Sequence, residues 1–303
     1  MPLTHARLVP LLAFAGLALS FAVCVGAAVA QTNDASAGAA LRARYDELQS
    51  KLARNAYGKP LHLVSSEGSN QLQGDVYAIV NTPFATVDAG FAEAANWCDV
   101  LILPFNTKHC MATKQGAGTG LTVRIGRKYD QPPEDAYRID FRYRVAARTP
   151  DYFRIGLKSD NGPLGTRDYA ITLEAVPVDG ERTFIHLSYA YGFGTMSRLA
   201  MQAYLATAGR DKVGFTVVGK DGQGQPVHVG GMLGATERNT MRYYLAIEAY
   251  LNSLAVPAET RVQKRLSEWF AASERYPKQL REMDRATYLA MKQRETRRMG
   301  AAL

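Results

Sequence analysis

The chain has 303 residues, of which 47% are hydrophobic, 21% charged and 10% aromatic. These proportions exclude a disordered, collagen-like or low-complexity protein and leave room for one large domain or two modest ones. Lys and Arg number 36 against 28 Asp and Glu, a net charge of +8, but the two signs are interleaved and no clustered basic-aromatic motif appears, so no nucleic-acid partner is expected.

Residues 1–30 read as a secretory signal. Arg7 precedes a run from Leu8 to Ala30 that carries no charge and closes on Ala28-Val29-Ala30, a small-x-small cleavage pattern. The expected compartment is therefore the periplasm or outside the cell. The alternative is an uncleaved N-terminal membrane anchor, because the run is long enough to span a bilayer. Cys24 is a poor lipidation site, since Val23 stands where a small residue is needed. Residues 31–40 are expected to be a flexible lead. Leu41, Tyr45, Leu48 and Leu52 then recur at helical spacing and predict an amphipathic helix over 38–55. Residues 31–60 form this lead and helix.

Over 61–256 the pattern predicts a second unit. A short strand at Leu61–Val64 is followed by a strand at Asp75–Asn81. Thr82-Pro83 suits a helix start, with Phe84, Val87, Phe91 and Ala95 on one side. From 107 to 176 the period becomes two. Leu121, Val123 and Ile125 mark one strand; Tyr137, Ile139, Phe141, Tyr143 and Val145, alternating with Arg138, Asp140, Arg142 and Arg144, mark the clearest one. Further strands carry Phe153, Ile155 and Leu157, then Tyr169, Ile171, Leu173 and Ala175, then Ile185, Leu187, Tyr189 and Tyr191. Short turns at Asn161-Gly162-Pro163 and Asp179-Gly180 imply an antiparallel meander. A helix over 196–208, two strands (213–218 and 226–230) and a long helix over 236–254 follow. Residues 257–303 read as a basic helical tail, broken near Tyr276-Pro277.

Few residues point to chemistry. Cys98 and Cys110 could form a disulfide in an oxidising compartment, remain free buried thiols, or join His109 in a metal or thiol–imidazole site, for which no paired spacing exists. His62, His186 and His228 sit in no metal-binding pairing, so neither metal nor cofactor is expected. His186 reads as exposed or locally bonded. The Gly116–Gly120 run (GAGTG) lacks the Lys-Ser/Thr ending of a phosphate loop. Glu237 reads as a solvated helix-start residue. Glu248, if buried, needs a partner such as Arg142 or Arg144 and would be the best ligand anchor or general base.

The order of elements is a strand running into a Pro-led helix and Trp97 (75–97), a meander from Thr107 to Tyr191, and a late long helix over 237–254. This order resembles the helix-grip architecture of the START and polyketide-cyclase-like superfamily. The resemblance covers roughly 75–255; the helix at 196–208 departs from the simplest pattern, and the N- and C-terminal helices are additions. It implies an α+β fold in which the long helix lies across a curved antiparallel sheet, with an apolar cavity between them. The implied wall is Phe141, Tyr143, Ile155, Leu173, Leu187, Tyr189, Met241, Tyr244, Leu245 and Glu248, and the implied partner is a hydrophobic small molecule or lipid. A solid core built from the same residues is the competing reading. An exported carrier is favoured over a cyclase- or hydrolase-like enzyme, and over a non-catalytic envelope protein whose 258–299 segment docks on an anionic membrane surface or a partner.

Overall fold

The computed structural model describes residues 23–116, 118–207 and 211–301; the side chains of 23–33, 204, 206 and 301 are not described. Most of the expected signal, 1–30, lies outside these residues. A first helix, α1 (Val23–Ala53), runs through the position of the cleavage pattern. It also takes in the expected flexible lead. Four alanines between 35 and 40 favour helix, and the helix gains a surface to pack on: Gly38 lies so close to Tyr152 that a Cβ there would sit 3.1 Å from it.

Eight strands form one antiparallel sheet in the order β1-β2-β8-β7-β6-β5-β4-β3. The chain opens with the hairpin of β1 (Leu61–Glu67) and β2 (Gln71–Val80), then leaves the sheet through α2 (Phe84–Phe91) and α3 (Ala94–Leu101). It re-enters at the far edge with β3 (Thr107–Gln115). It returns strand by strand through β4 (Gly118–Ile125), β5 (Tyr137–Thr149), β6 (Tyr152–Asn161), β7 (Arg167–Pro177) and β8 (Thr183–Gly192), and β8 pairs with β2. Bulges in the β3–β4, β5–β6 and β7–β8 ladders go with the curvature of the sheet. Of the GAGTG run, Gly116 follows β3 with φ +58°, a backbone conformation that favours glycine, and Gly118 to Gly120 open β4.

Two expectations around α2 change. Thr82 does not cap it: Pro83 is the N-cap, no side chain caps it, and the Thr82 carbonyl accepts a hydrogen bond from the Thr183 hydroxyl at 2.7 Å. Ala95 does not share its apolar face but is exposed in the separate helix α3, whose buried residues include Trp97, Cys98, Val100 and Leu101.

After β8 come α4 (Thr195–Ala206), a small hairpin of β9 (Val217–Lys220) and β10 (Pro226–His228) that pairs only with itself, and the long helix α5 (Gly231–Ser253). The inner face of the sheet carries the alternating apolar residues of every long strand and packs on Met241, Tyr244, Leu245 and Tyr250 of α5. Gly74 of β2 permits the closest approach, since a Cβ there would stand 2.2 Å from Thr240 Oγ1 of α5. On the outer face, Leu41, Leu48 and Leu52 of α1 cover Ala147, Tyr152, Val176 and Phe184 as a second, smaller core. The molecule is thus an α+β helix-grip fold with added helices.

Of the segment 257–303, expected as a tail, residues 257–301 pack into the main body. It forms α6 (Ala258–Glu274), the short α7 (Pro277–Leu280) and α8 (Arg285–Ala301), and Leu266, Trp269, Phe270, Leu280, Tyr288 and Met291 join the main core. Trp269 stacks on Tyr288 and donates its indole N–H to the Arg242 carbonyl at 3.0 Å. No described helix is long and apolar enough to cross a membrane.

Candidate ligand cavity

A cavity of about 200 Å³ lies where β4, β5, β7 and β8 face α5. Its wall is mostly apolar (Val123, Ile139, Phe141, Ile171), and Met201 of α4 and Pro163 also line it. Three tyrosines, Tyr169, Tyr189 and Tyr243, supply aromatic faces and hydroxyls. Their rings touch in sequence, Tyr169 to Tyr189 at 6.3 Å and Tyr189 to Tyr243 at 5.3 Å between centroids. Asn106, Asn239 and Arg242 add polar groups. Strand alternation places Tyr169 and Tyr189 on the inner face with Ile171 and Leu187.

The hydroxyls in this wall stay protonated. Burial raises the Tyr189 and Tyr169 phenols well above their ordinary range and pushes Tyr243 up to about 12. Tyr189 bonds with Asn239, and the Tyr169 hydroxyl lies 2.9 Å from that of Thr166. Arg242 is paired with Glu282 at 2.7 Å. Burial would raise the Glu282 carboxyl, but Arg242, Lys128 and Lys212 together hold it below the ordinary carboxylate range. The cavity therefore offers apolar enclosure, aromatic faces, hydroxyl donors and one charge-paired guanidinium. None of its lining residues is an Asp, Glu, His or Cys.

Of the ten expected wall residues, Phe141 and Tyr189 line this cavity. Ile155, Leu173, Leu187, Met241 and Tyr244 are buried in the main core and do not line it. Tyr143 is tied to the α2–α3 link, its hydroxyl 2.8 and 2.7 Å from the Phe91 and Ala92 carbonyls. Leu245 and Glu248 border a shallow groove between α5 and α6. Glu248 does not meet Arg142 or Arg144. Those arginines alternate with Phe141 and Tyr143 and so stand on the outer face, whereas Glu248 pairs with Lys59 and lies 3.4 Å from the Tyr244 hydroxyl. Residues missed as lining were Tyr169, Tyr243, Asn239, Arg242 and Met201. Tyr169 was signalled by its alternation with Ile171, and Tyr243 by its helical spacing from Ile247, Tyr250 and Leu254.

The other chemistry-bearing residues have structural partners. Cys98 and Cys110 are joined in a disulfide that ties α3 to β3. Among the described residues no group of His, Cys, Asp and Glu could hold a metal ion. His186 is locally bonded: Nδ1 lies 3.0 Å from Glu174 and Nε2 2.9 Å from Asp75, so both ring nitrogens are engaged. Its ring stacks on Tyr77 at 4.3 Å. Glu237 is fully buried rather than solvated. It accepts from Ser65 and Thr216 hydroxyls at 2.7 and 2.6 Å and from the Phe215 and Thr216 amides at 2.5 and 2.9 Å. Many cations of 258–299 are spent on pairs within the fold, among them Arg265 with Asp99, Lys292 with Glu295 and Arg294 with Asp130.

No family model and no curated protein matches the chain. Among solved structures it is similar to a norcoclaurine synthase from Thalictrum flavum, at 16% identity over 48% of this chain and 89% of that one, with a TM-score of 0.33. It is similar to an aromatase/cyclase from a Streptomyces species, at 13% identity over 71% and 94%, TM-score 0.30. A conserved protein from Geobacillus kaustophilus gives 10% identity over 59% and 95%, TM-score 0.34. At TM-scores this low nothing is carried over from them. The helix-grip assignment rests on this chain's own strand order and on α5 lying across the inner face.

Proposed function

We propose that this is an exported binding protein for a small hydrophobic ligand, held between the sheet and α5. The observation that carries the reading is the hollow itself: about 200 Å³ of space walled by apolar and tyrosine side chains where a packed core would otherwise continue. An apolar cavity of about 150 Å³ accepts benzene, so a single-ring or short-chain compound fits. Its burial contributes about 25 cal/mol per Å² of apolar surface, and the tyrosine hydroxyls and Asn239 orient any polar group it bears. Larger ligands need roughly 300–1,000 Å³. A lipid-like occupant therefore requires α4 to swing away and carry Met201 from the wall. Export is supported by the uncharged run ending in Ala28-Val29-Ala30 and by a disulfide, which suits an oxidising compartment.

The reading is tested by mass spectrometry of small molecules extracted from protein purified out of the envelope fraction. A ring-bearing or short-chain hydrophobe in near-stoichiometric amount is expected, and it should be lost from Met201→Trp, which fills the wall at α4. Protein that carries no such molecule, and whose melting temperature no single-ring compound raises, contradicts the reading.

A further inference from the structure

The outer face of the sheet carries a second trough, remote in chemistry from the apolar hollow. It has a volume of about 630 Å³ and is lined by Arg142, Arg144, Arg154 and Lys158, with Gly156 and Thr172 between them. Strand register explains the cluster. Arg142 of β5 lies directly opposite Lys158 of β6, and Arg144 lies opposite Gly156. Like charges facing each other across a ladder destabilise a sheet, and only part of this charge is answered. Arg142 is held by Asp160 through two bonds of 2.8 and 2.6 Å. Arg154 reaches Glu174 only at 4.0 Å, and that carboxylate already serves His186 and Tyr152. Arg144 and Lys158 have no acidic partner among the described residues.

Gly156 supplies the second, independent observation. It sits in the interior of a strand, where glycine weakens the sheet and often marks a place where a ligand comes close to the backbone. A Cβ built there would meet nothing within 4 Å. The position opposite Arg144 is therefore open space, floored by backbone and flanked by cations. Helix α1 covers a different part of this face, around Ala147, Tyr152, Val176 and Phe184.

We propose that this trough binds a multiply charged oxyanion, a phosphate group either free or carried on a larger molecule. The Arg144 guanidinium suits a two-pronged contact with phosphate oxygens, Lys158 acts as a point charge, and Gly156 lets the group approach the sheet. The anion relieves the repulsion between Arg142 and Lys158 that the protein leaves partly unanswered. This site does not depend on the occupancy of the apolar cavity.

The probe is inorganic pyrophosphate, titrated calorimetrically into the full chain at about 50 mM salt, where surface charges are least screened. Saturable binding is expected. The double variant Arg144→Gln with Lys158→Gln should weaken it by more than about tenfold, as the loss of charged hydrogen-bond partners implies. Gly156→Leu, which alters no charge, should weaken it by blocking the floor, and Arg182→Gln, at a distant turn, should leave it unchanged. Circular dichroism checks that each variant is folded. Vesicles of phosphatidylcholine with and without phosphatidic acid separate the sources. Sedimentation with the acidic vesicles that depends on Arg144 and Lys158 and is competed by pyrophosphate assigns a lipid headgroup; pyrophosphate binding without sedimentation assigns a soluble phosphate. The proposal is overturned if pyrophosphate does not bind saturably. It is equally overturned if Gly156→Leu binds normally, or if Arg182→Gln weakens binding as much as the double variant, since the attraction is then that of a basic protein in general.

Discussion

Glu237 was expected at a solvated helix start, yet α5 begins at Gly231, and Glu237 lies enclosed within the helix and gathers four donors from two segments. It fastens the 214–216 stretch and β1 to α5. Glu237→Ala should cost about 3 kcal/mol, because buried donors are left unanswered, and should expose the Phe215 and Thr216 amides to hydrogen exchange first. Unchanged protection at those two amides would refute this role. His186 makes a pH-dependent contribution. Burial alone would lower its pKa, but the Asp75 and Glu174 carboxylates overcome that and raise it. Burial would raise the two carboxyls, and their bonds to His186 lower them instead. The raised imidazole stabilises the fold below the ordinary histidine range and loses that effect as pH rises through its folded pKa. The lowered carboxyls stabilise above the ordinary carboxylate range and lose that effect on acidification. The cluster is therefore strongest in mild acid. His186→Gln should lower the melting temperature more at about pH 5.5 than at about pH 8.5; equal losses at both would show that the ion pairs contribute nothing.

Among the elements, legibility followed periodicity. The alternation over 137–145 and 183–191 marked both strands and their faces, and the same alternation, carried one step further, would have shown that Arg142 and Arg144 cannot reach α5. The helix α3 carried a signal of its own, since Ala94, Trp97, Cys98 and Leu101 stand at helical spacing and are buried, but the apolar run from Val100 to Leu103 blurred where it ends. The C-terminal helices misled through their charge: Leu266, Trp269 and Phe270, and further on Tyr288 and Met291, lie at helical spacings but among cations. Least legible was the buried group in which Glu295 faces Lys108 at 3.0 Å and Lys292 at 2.7 Å, since its members are 187 residues apart at the extreme and all three are fully buried. The lysines also donate to the Phe105 and Thr107 carbonyls, which pins α8 to β3. Glu295→Ala leaves two buried cations unanswered and should cost about 3–5 kcal/mol. Lys292→Met leaves one matched pair and should cost less than half of that in chemical denaturation; the reverse ranking would contradict the pairing. Replacing Cys98 and Cys110 together by Ser should cost about 3 kcal/mol through the freed unfolded chain. A mutant as stable as the parent under oxidising conditions would count against the cross-link.

At the scale of the whole molecule, one sheet serves two surfaces. Its inner face closes on α5 through apolar packing with a hollow beneath Tyr169, Tyr189 and Tyr243, and its outer face is covered by α1 in one part and lined by cations in another. The element order made the helix-over-sheet arrangement readable. It did not reveal how much of the interface is filled, because that depends on where α4 rests and on side-chain volumes meeting across distant strands. The hollow is the feature on which the proposed function turns. The most direct measurement is a calorimetric titration of the full chain with indole, beside Met201→Trp. Saturable binding at one site in the parent, lost in the variant while the fold is retained, is the predicted result. Indole binding that is absent from the parent, or unaffected by the tryptophan, would contradict a ligand site between the sheet and α5.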